Sequence, residues 1–129
     1  MEIFKAQGTD DTPEVVLDPN SGKFKITGKS FSEDVAGFFE PILDWLDLYA
    51  KHPNKKTEVE LKLVYFNSAS SKLLLDILLK LEEMVSAGFE VLVKWHYAED
   101  DEDMQDAGEE YADIVEVPFE HISYELPMR

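Results

Sequence analysis

Hydroxyl side chains cluster in one short segment of this sequence, Tyr65-Phe66-Asn67-Ser68-Ala69-Ser70-Ser71-Lys72. A hydrophobic strand pattern ends there and a helical pattern begins, so the hydroxyls lie beside free backbone N–H groups and the positive end of a helix dipole. A phosphate is favoured at such a place, because phosphoserine adds about −1.5 to −2 charges and three acceptor oxygens. Serine and asparagine also commonly cap helices. The residues alone therefore leave two interpretations, a helix cap and a phosphorylation site.

A run of carboxylates, Glu99-Asp100-Asp101-Glu102-Asp103, raises the question of metal binding, since calcium prefers several carboxylate oxygens. The spacing does not fit a calcium loop that starts at Asp101. Gln105 fills its fifth position, Asp106 stands where glycine is required, and Ala112 replaces the closing glutamate. The run therefore predicts a solvated acidic loop that leads into a short helix, without a metal site.

The three histidines, His52, His96 and His121, lack the spacing of a metal-ligand pair. His96 falls on the polar face of a strand, where an imidazole can act as an acid or a base near neutral pH, although most such histidines are surface residues. No nucleophile elbow, phosphate-binding glycine loop or Ser-x-x-Lys motif occurs. We expect no catalytic residue and no cofactor. One alternative stays open, a small ligand-binding or enzymatic domain that uses the polar sheet face, His96 and the acidic loop.

Composition restricts the classes of function further. The 129 residues include 12 basic and 28 acidic side chains, for a formal net charge of −16. This balance is wrong for a nucleic-acid groove and for a polybasic membrane anchor. The absence of cysteine excludes disulfides and thiolate chemistry and fits a reducing cytosol. With no signal peptide and no apolar run near the ~20 residues that cross a bilayer, we expect a cytoplasmic protein.

Hydrophobic periodicity predicts the elements that come before the serine segment. Two short strands, 14–18 and 23–27, flank a turn and form a hairpin. A helix over 33–51 follows, and the spacing of Ser30 and Glu33 is that of a capping box. Pro41 lies inside this helix, where we expect a kink or a late start.

The elements around and after the serine segment form a βαβ pattern. Alternation over 59–65 predicts a strand, a wide apolar stripe over 73–85 predicts a helix, and 89–97 predicts a second strand parallel to the first. Residues 114–119 could add an edge strand. Because each strand has one polar face, the helices should lie mainly on one side of the sheet. The prediction is one α/β domain over 1–129, with its core at about 12–119 and a small mixed sheet of four to five strands.

Several segments occur in an order that matches a known family. They are Thr12-Pro13, Gly28-Lys29-Ser30-Phe31-Ser32-Glu33-Asp34, Phe39-Glu40-Pro41 with Trp45-Leu46, Tyr65 to Lys72, and Val93-Lys94-Trp95-His96-Tyr97 before the acidic run. In this respect the chain resembles the SiaC family of bacterial regulatory phosphoproteins over about residues 12–111. The resemblance implies a STAS-like fold, similar to that of the anti-sigma-factor antagonists, with helices on one side of a small sheet.

The resemblance also implies a function. In the family the modified Thr or Ser directly follows an Asn at the end of the central strand, and that position is Ser68 here. A kinase would phosphorylate Ser68, a PP2C-type phosphatase would reverse this, and only the unmodified form would bind and regulate an effector. In the best-known branch the effector is a diguanylate cyclase. The implied partner-binding residues are Phe66, Asn67, Ser68, Ala69, Ser70, Ser71 and Lys72.

Two departures from the family pattern leave the effector's identity open. Serine stands at the junction where the best-known branch has threonine, and Phe31-Ser32-Glu33-Asp34 replaces the more usual Tyr-Pro-Glu-Asn. The charge is also lopsided, because ten acidic residues and no basic one lie between 99 and 116. If the protein binds a partner, we expect that partner to present a basic surface and association to slow as salt rises.

Overall fold

The computed structural model describes residues 1–126 as one six-stranded sheet with three helices. The elements are β1 (Phe4–Ala6), β2 (Glu14–Asp18), β3 (Lys23–Ser30), α1 (Val35–Tyr49), β4 (Lys56–Phe66), α2 (Ser68–Ser86), β5 (Glu90–Ala98), α3 (Glu102–Ile114) and β6 (Phe119–Tyr124). The strands lie side by side in chain order. The first three are antiparallel, and β3 to β6 run parallel to one another. The mixed α/β class is confirmed, with six strands where four to five were expected.

All three helices cover the same face of the sheet, as the alternating strand pattern predicted. Phe24 of β3 makes edge contacts with the rings of Trp45 and Tyr49 of α1. Trp95 of β5 contacts Tyr111 of α3 on this face. The strands supply buried apolar residues at every second position, namely Val15, Leu17, Phe24, Ile26, Val59, Leu61, Leu63, Val91, Val93 and Trp95. No helix within residues 1–126 is long and apolar enough to cross a membrane.

The two strands at the edges of the sheet differ from the sequence prediction. β1 is only three residues long, too short to show an alternating pattern, and it pairs with β2. The edge strand predicted at 114–119 is wrong, because α3 continues to Ile114 and pairing with β5 begins at Phe119. Pro118 explains the late start, since it has no N–H to donate. Its carbonyl accepts a hydrogen bond from the Val93 N–H at 2.9 Å.

The beginning of α1 also differs from the prediction. The helix starts at Val35 and continues through Pro41, so the proline does not delay its start. Asp34 is the cap, because its carboxylate accepts a hydrogen bond from the Gly37 N–H at 2.9 Å. The capping box proposed for Ser30 is therefore wrong: this serine ends β3 and is buried.

Candidate functional site

The carboxyl ends of the four parallel strands meet at one edge of the sheet, and the three helices begin there. At the centre of this edge Asn67 joins β4 to α2. Its backbone N–H donates to the Ser30 carbonyl at 3.0 Å, which ties the junction to the end of β3. Its side-chain Oδ1 accepts from the Ser70 N–H at 2.9 Å, so Asn67 is the N-cap of α2. The capping interpretation is thus correct for Asn67, and the three serines that follow must be considered one by one.

Ser70 is enclosed in the protein and has no exposed surface. Its hydroxyl donates to the Ser30 carbonyl at 2.8 Å. Because that proton is used, the 2.8 Å contact between the two hydroxyls has Ser30 as the donor. Ser70 therefore joins α2 to β3 inside the fold, and its side chain has no surface for a partner, which corrects its place among the implied partner-binding residues.

Ser71 is half-buried and is held by Tyr111 of α3. The Tyr111 hydroxyl donates to the Ser71 carbonyl at 2.8 Å. The serine hydroxyl then donates back to the tyrosine oxygen at 2.9 Å. The pair ties the first turn of α2 to α3 and engages the Ser71 hydroxyl.

Ser68 is the exposed member of the group. It is the first residue of α2, and within residues 1–126 its hydroxyl makes no hydrogen bond. The first N–H groups of a helix have no intrahelical partner, and the Asn67 side chain satisfies only that of Ser70. Ala69 and Lys72 are also exposed, and Lys72 lies one turn further along α2. A phosphate on Ser68 would thus meet unpaired N–H groups, the positive end of the helix and an ammonium group one turn away.

Two exposed aromatic side chains lie beside this junction and form what we call the aromatic patch, Phe31 and Tyr65. Their rings meet edge to face at 5.8 Å and are 42% and 52% exposed, respectively. Phe31 directly follows Ser30, and Tyr65 precedes Phe66, whose half-buried ring packs edge-on against Trp95. The buried-and-exposed alternation of β4 breaks at its end, where Tyr65 and its neighbour Val64 are both exposed. A broken alternation at the end of a strand can mark an exposed apolar surface as well as a covered one.

The alternative site would use the polar face of the sheet. His96 lies there with its Nε2 atom 3.3 Å from Glu60 Oε1. Nearby, Lys94 Nζ lies 3.6 Å from Glu58 Oε2, so this lysine and this glutamate face one another across neighbouring strands. His52 follows α1 and His121 lies on β6, on other elements than His96. Among residues 1–126 no group of three or more His, Asp and Glu side chains is placed to hold a metal ion.

The acidic run contributes to the fold by starting a helix. Asp101 caps α3, because its Oδ1 atom accepts from the Met104 N–H at 3.0 Å. Glu102 and Asp103 occupy the first turn, where negative charge is favoured by the helix dipole. The predicted acidic loop is therefore short, and the helix that it enters is 13 residues long.

Tyr111 gives the site a measurable pH dependence. Burial raises the pKa of its phenol above the ordinary value. The unfolded chain therefore loses this proton first, near pH 10, and the stability contributed by the neutral phenol is present below that pH. This contribution to stability is lost as pH rises from about 10 through the higher pKa of the folded state. We expect Tyr111→Phe to lower the free energy of unfolding at pH 7, as measured by urea titration. Above pH 10 the gap in this free energy between the variant and the unsubstituted protein should narrow. A gap that widens with pH would contradict this role.

Comparisons with known proteins identify a family and a shared fold. A model of the family described as "SiaC family regulatory phosphoprotein" matches residues 6–124. An uncharacterized protein of Pseudomonas aeruginosa (strain UCBPP-PA14) is 31% identical over 119 residues, which cover 92% of this chain and 94% of that protein. The crystal structure of apo-SiaC from Pseudomonas aeruginosa has a TM-score of 0.87 and 30% identity, and the match covers 95% of this chain and 99% of that chain.

A second solved structure holds the relative together with a partner. It contains the diguanylate cyclase SiaD in complex with its activator SiaC from Pseudomonas aeruginosa, with a TM-score of 0.88 and 29% identity. The match covers 94% of this chain and 99% of that chain. The family model spans most of the residues, and the similar structures are aligned over nearly their whole length. The chain therefore belongs to the SiaC family of regulatory phosphoproteins.

Proposed function

We propose that this protein is a phosphorylation-controlled partner switch without catalytic activity of its own. A cytoplasmic kinase phosphorylates Ser68, a PP2C-type phosphatase removes the phosphate, and only the unmodified form binds and regulates an effector. One observation carries this proposal: Ser68 presents an exposed hydroxyl at the start of α2 that makes no hydrogen bond within residues 1–126, whereas the hydroxyls of Ser70 and Ser71 are engaged within the fold. Of the three serines in the segment, a kinase has free access to one.

Phosphate at Ser68 is compatible with the folded structure. A helix N-terminus accommodates an anion, and Lys72 lies one turn along the same face of α2. The modification should therefore change the surface and leave the sheet and helices in place. This is the behaviour expected of a switch that controls binding without unfolding.

The aromatic patch explains how a phosphate at this position opposes binding. Phe31 and Tyr65 offer exposed apolar area at the same edge of the sheet as Ser68, and we propose that the partner covers both the rings and the start of α2. A doubly charged phosphate in that contact would have to lose its water. We therefore extend the implied partner surface, Phe66, Asn67, Ser68, Ala69, Ser71 and Lys72, by the aromatic patch.

A diguanylate cyclase is the effector that we propose. The support is the complex of the Pseudomonas aeruginosa relative with the diguanylate cyclase SiaD, at a TM-score of 0.88 to this chain. Two residues of the departures from the family pattern, Ser68 and Phe31, lie in the proposed contact surface. They should therefore adapt this protein to the cyclase of its own host.

Phosphosite mapping tests the assignment of Ser68. The purified protein is incubated with ATP and the kinase encoded nearest its gene, and the modified residue is identified by mass spectrometry. We expect one phosphate, located on Ser68, and no incorporation into Ser68→Ala. Ser86→Ala is the matched control, because Ser86 is an exposed serine at the other end of α2 and its loss should leave labelling unchanged. Unchanged labelling of Ser68→Ala, or phosphate on Ser70 or Ser71, would refute the site.

A further inference from the structure

A groove of about 550 Å³ runs along the outer surface between α1 and α2, away from the sheet. The two large apolar residues of its lining are Leu43 of α1, which is half-buried, and Leu79 of α2, which is 40% exposed. Large exposed apolar side chains that line a concave surface are typical of contact sites for other molecules. The proposed switch does not use this feature.

The rim of the groove is strongly acidic. Five carboxylates line it, namely Glu40, Asp44, Asp47, Asp76 and Glu83. The single basic residue in the lining, Lys80, is ion-paired with Asp47. Five negative and one positive charge give the groove a net charge of −4. Such a surface attracts cations and repels nucleic acid and anionic lipid.

The dimensions of the groove suit a helix. On α1 the lining extends from Ala36 to Asp47, which at 1.5 Å per residue is roughly 17 Å. On α2 it extends from Asp76 to Glu83, or roughly 10 Å. A third helix lying between two others can insert apolar side chains spaced three and four residues apart over about two to three turns. The α2 wall continues the helix face that begins at Ser68, because residues 68, 72, 76, 79 and 83 are spaced three or four apart.

We infer that this groove binds a basic amphipathic helix of a partner protein. Lysine and arginine side chains of that helix pair with the four rim carboxylates that Lys80 does not engage, and its leucine-sized side chains contact Leu43 and Leu79. The site is separate from phosphorylation, because it is complete in the unmodified protein and its α2 wall begins two turns beyond Ser68. Binding here would orient a partner along the face of α2 that leads to the switch residue.

The third helix offers an internal control for charge alone. α3 carries six exposed acidic residues, Glu102, Asp103, Asp106, Glu109, Glu110 and Asp113, which is more than the groove has. Ile114, at the end of this helix, is its only large exposed apolar side chain. If net charge decided where a basic peptide binds, α3 would be preferred. If the groove is a specific binding site, its apolar lining should direct the peptide to the groove and not to α3.

A synthetic amphipathic helical peptide, with leucine at every third and fourth position and lysine between, is the probe. It is titrated into the ¹⁵N-labelled, unmodified protein, and amide shifts and affinity are measured. We expect shifts centred on the groove residues of α1 and α2. The double variant Asp44→Asn with Asp76→Asn should bind about tenfold more weakly, and Leu79→Ser should weaken binding by a similar factor. All three positions are exposed, so the fold should persist.

The matched control removes the same charge from α3, as Asp103→Asn with Glu109→Gln. We expect its affinity to change by less than about twofold, since only the long-range field is altered. A peptide with serine in place of every leucine should bind at least about tenfold more weakly than the leucine peptide. Equal weakening by both double variants, shifts centred on α3, or no binding of the leucine peptide would each overturn the proposal.

Discussion

Replacing Phe31 and Tyr65 together by alanine is expected to weaken binding of the proposed effector by about 30- to 100-fold, the loss typical of removing central aromatic contacts. The two rings are about half exposed in the free protein and already meet edge to face at 5.8 Å. A partner that covers them gains apolar burial while ordering few side chains, which favours a large effect. The measurement is a calorimetric titration of the unmodified protein with the diguanylate cyclase encoded nearest its gene.

The control for this prediction removes exposed apolar side chains elsewhere. Leu48 near the end of α1 and Ile114 at the end of α3 are 58% and 60% exposed, more than either aromatic ring. Their joint replacement by alanine should change the affinity by less than about twofold, because surface substitutions outside a contact have small effects. An equal loss in both double variants, with unchanged circular dichroism, would remove the aromatic patch from the docking surface.

Substitution of Gly108 is expected to have the largest effect on stability. A Cβ atom at this position would lie 2.4 Å from Trp95 Cδ1 and 2.5 Å from its Nε1 atom. The indole cannot move aside easily, because it is buried and donates to the Met104 carbonyl at 2.9 Å. Gly108→Val should lower the free energy of unfolding by about 3 kcal/mol or more. Gly108→Ala should lower it by less, because alanine favours the helix by up to about 1 kcal/mol.

Urea denaturation measures these differences directly. Asp106→Ala is the matched control, since Asp106 is an exposed position on the same helix and its change should stay within about 0.5 kcal/mol. Because Trp95 contacts Tyr111 and Tyr111 holds Ser71, Gly108→Val should also speed hydrogen exchange at the start of α2. If Gly108→Val is as stable as Asp106→Ala, α3 does not pack on Trp95 as closely as described.

The sequence was most informative where the signal was long and periodic. The alternation in β4 and β5, with an apolar stripe between them, predicted the βαβ unit and the placement of the helices on one face. The change from strand to helix near Asn67 also located the candidate site, because free N–H groups and hydroxyls must coincide there. Short elements carried no such signal. β1 has three residues, and three positions cannot establish a period.

Local sequence could not distinguish the three serines of the site. What separates them is the set of partners brought in by the fold, and those partners are distant along the chain. Ser30 and Tyr111 each lie 40 positions from the serine that they contact. The capping role predicted for Ser30 was wrong because its hydroxyl contacts the buried hydroxyl of Ser70 on α2, which holds Ser30 at the end of β3. The resemblance to a family selected Ser68, and the hydrogen bonds give a physical reason for that selection.

The central claim is that phosphate on Ser68 controls effector binding, and a comparison of affinities tests it most directly. Phosphoserine is incorporated genetically at position 68 or, as a control, at the exposed position 86, and each protein is titrated with the cyclase alongside the unmodified protein. Site-specific incorporation makes the result independent of which kinase acts in the cell. We expect the unmodified protein and the position-86 control to bind equally, and phosphoserine at 68 to weaken binding by about 100-fold or more, the order of loss seen when a charge is buried unpaired. Equal affinity of the unmodified protein and the protein phosphorylated at Ser68 would contradict the switch.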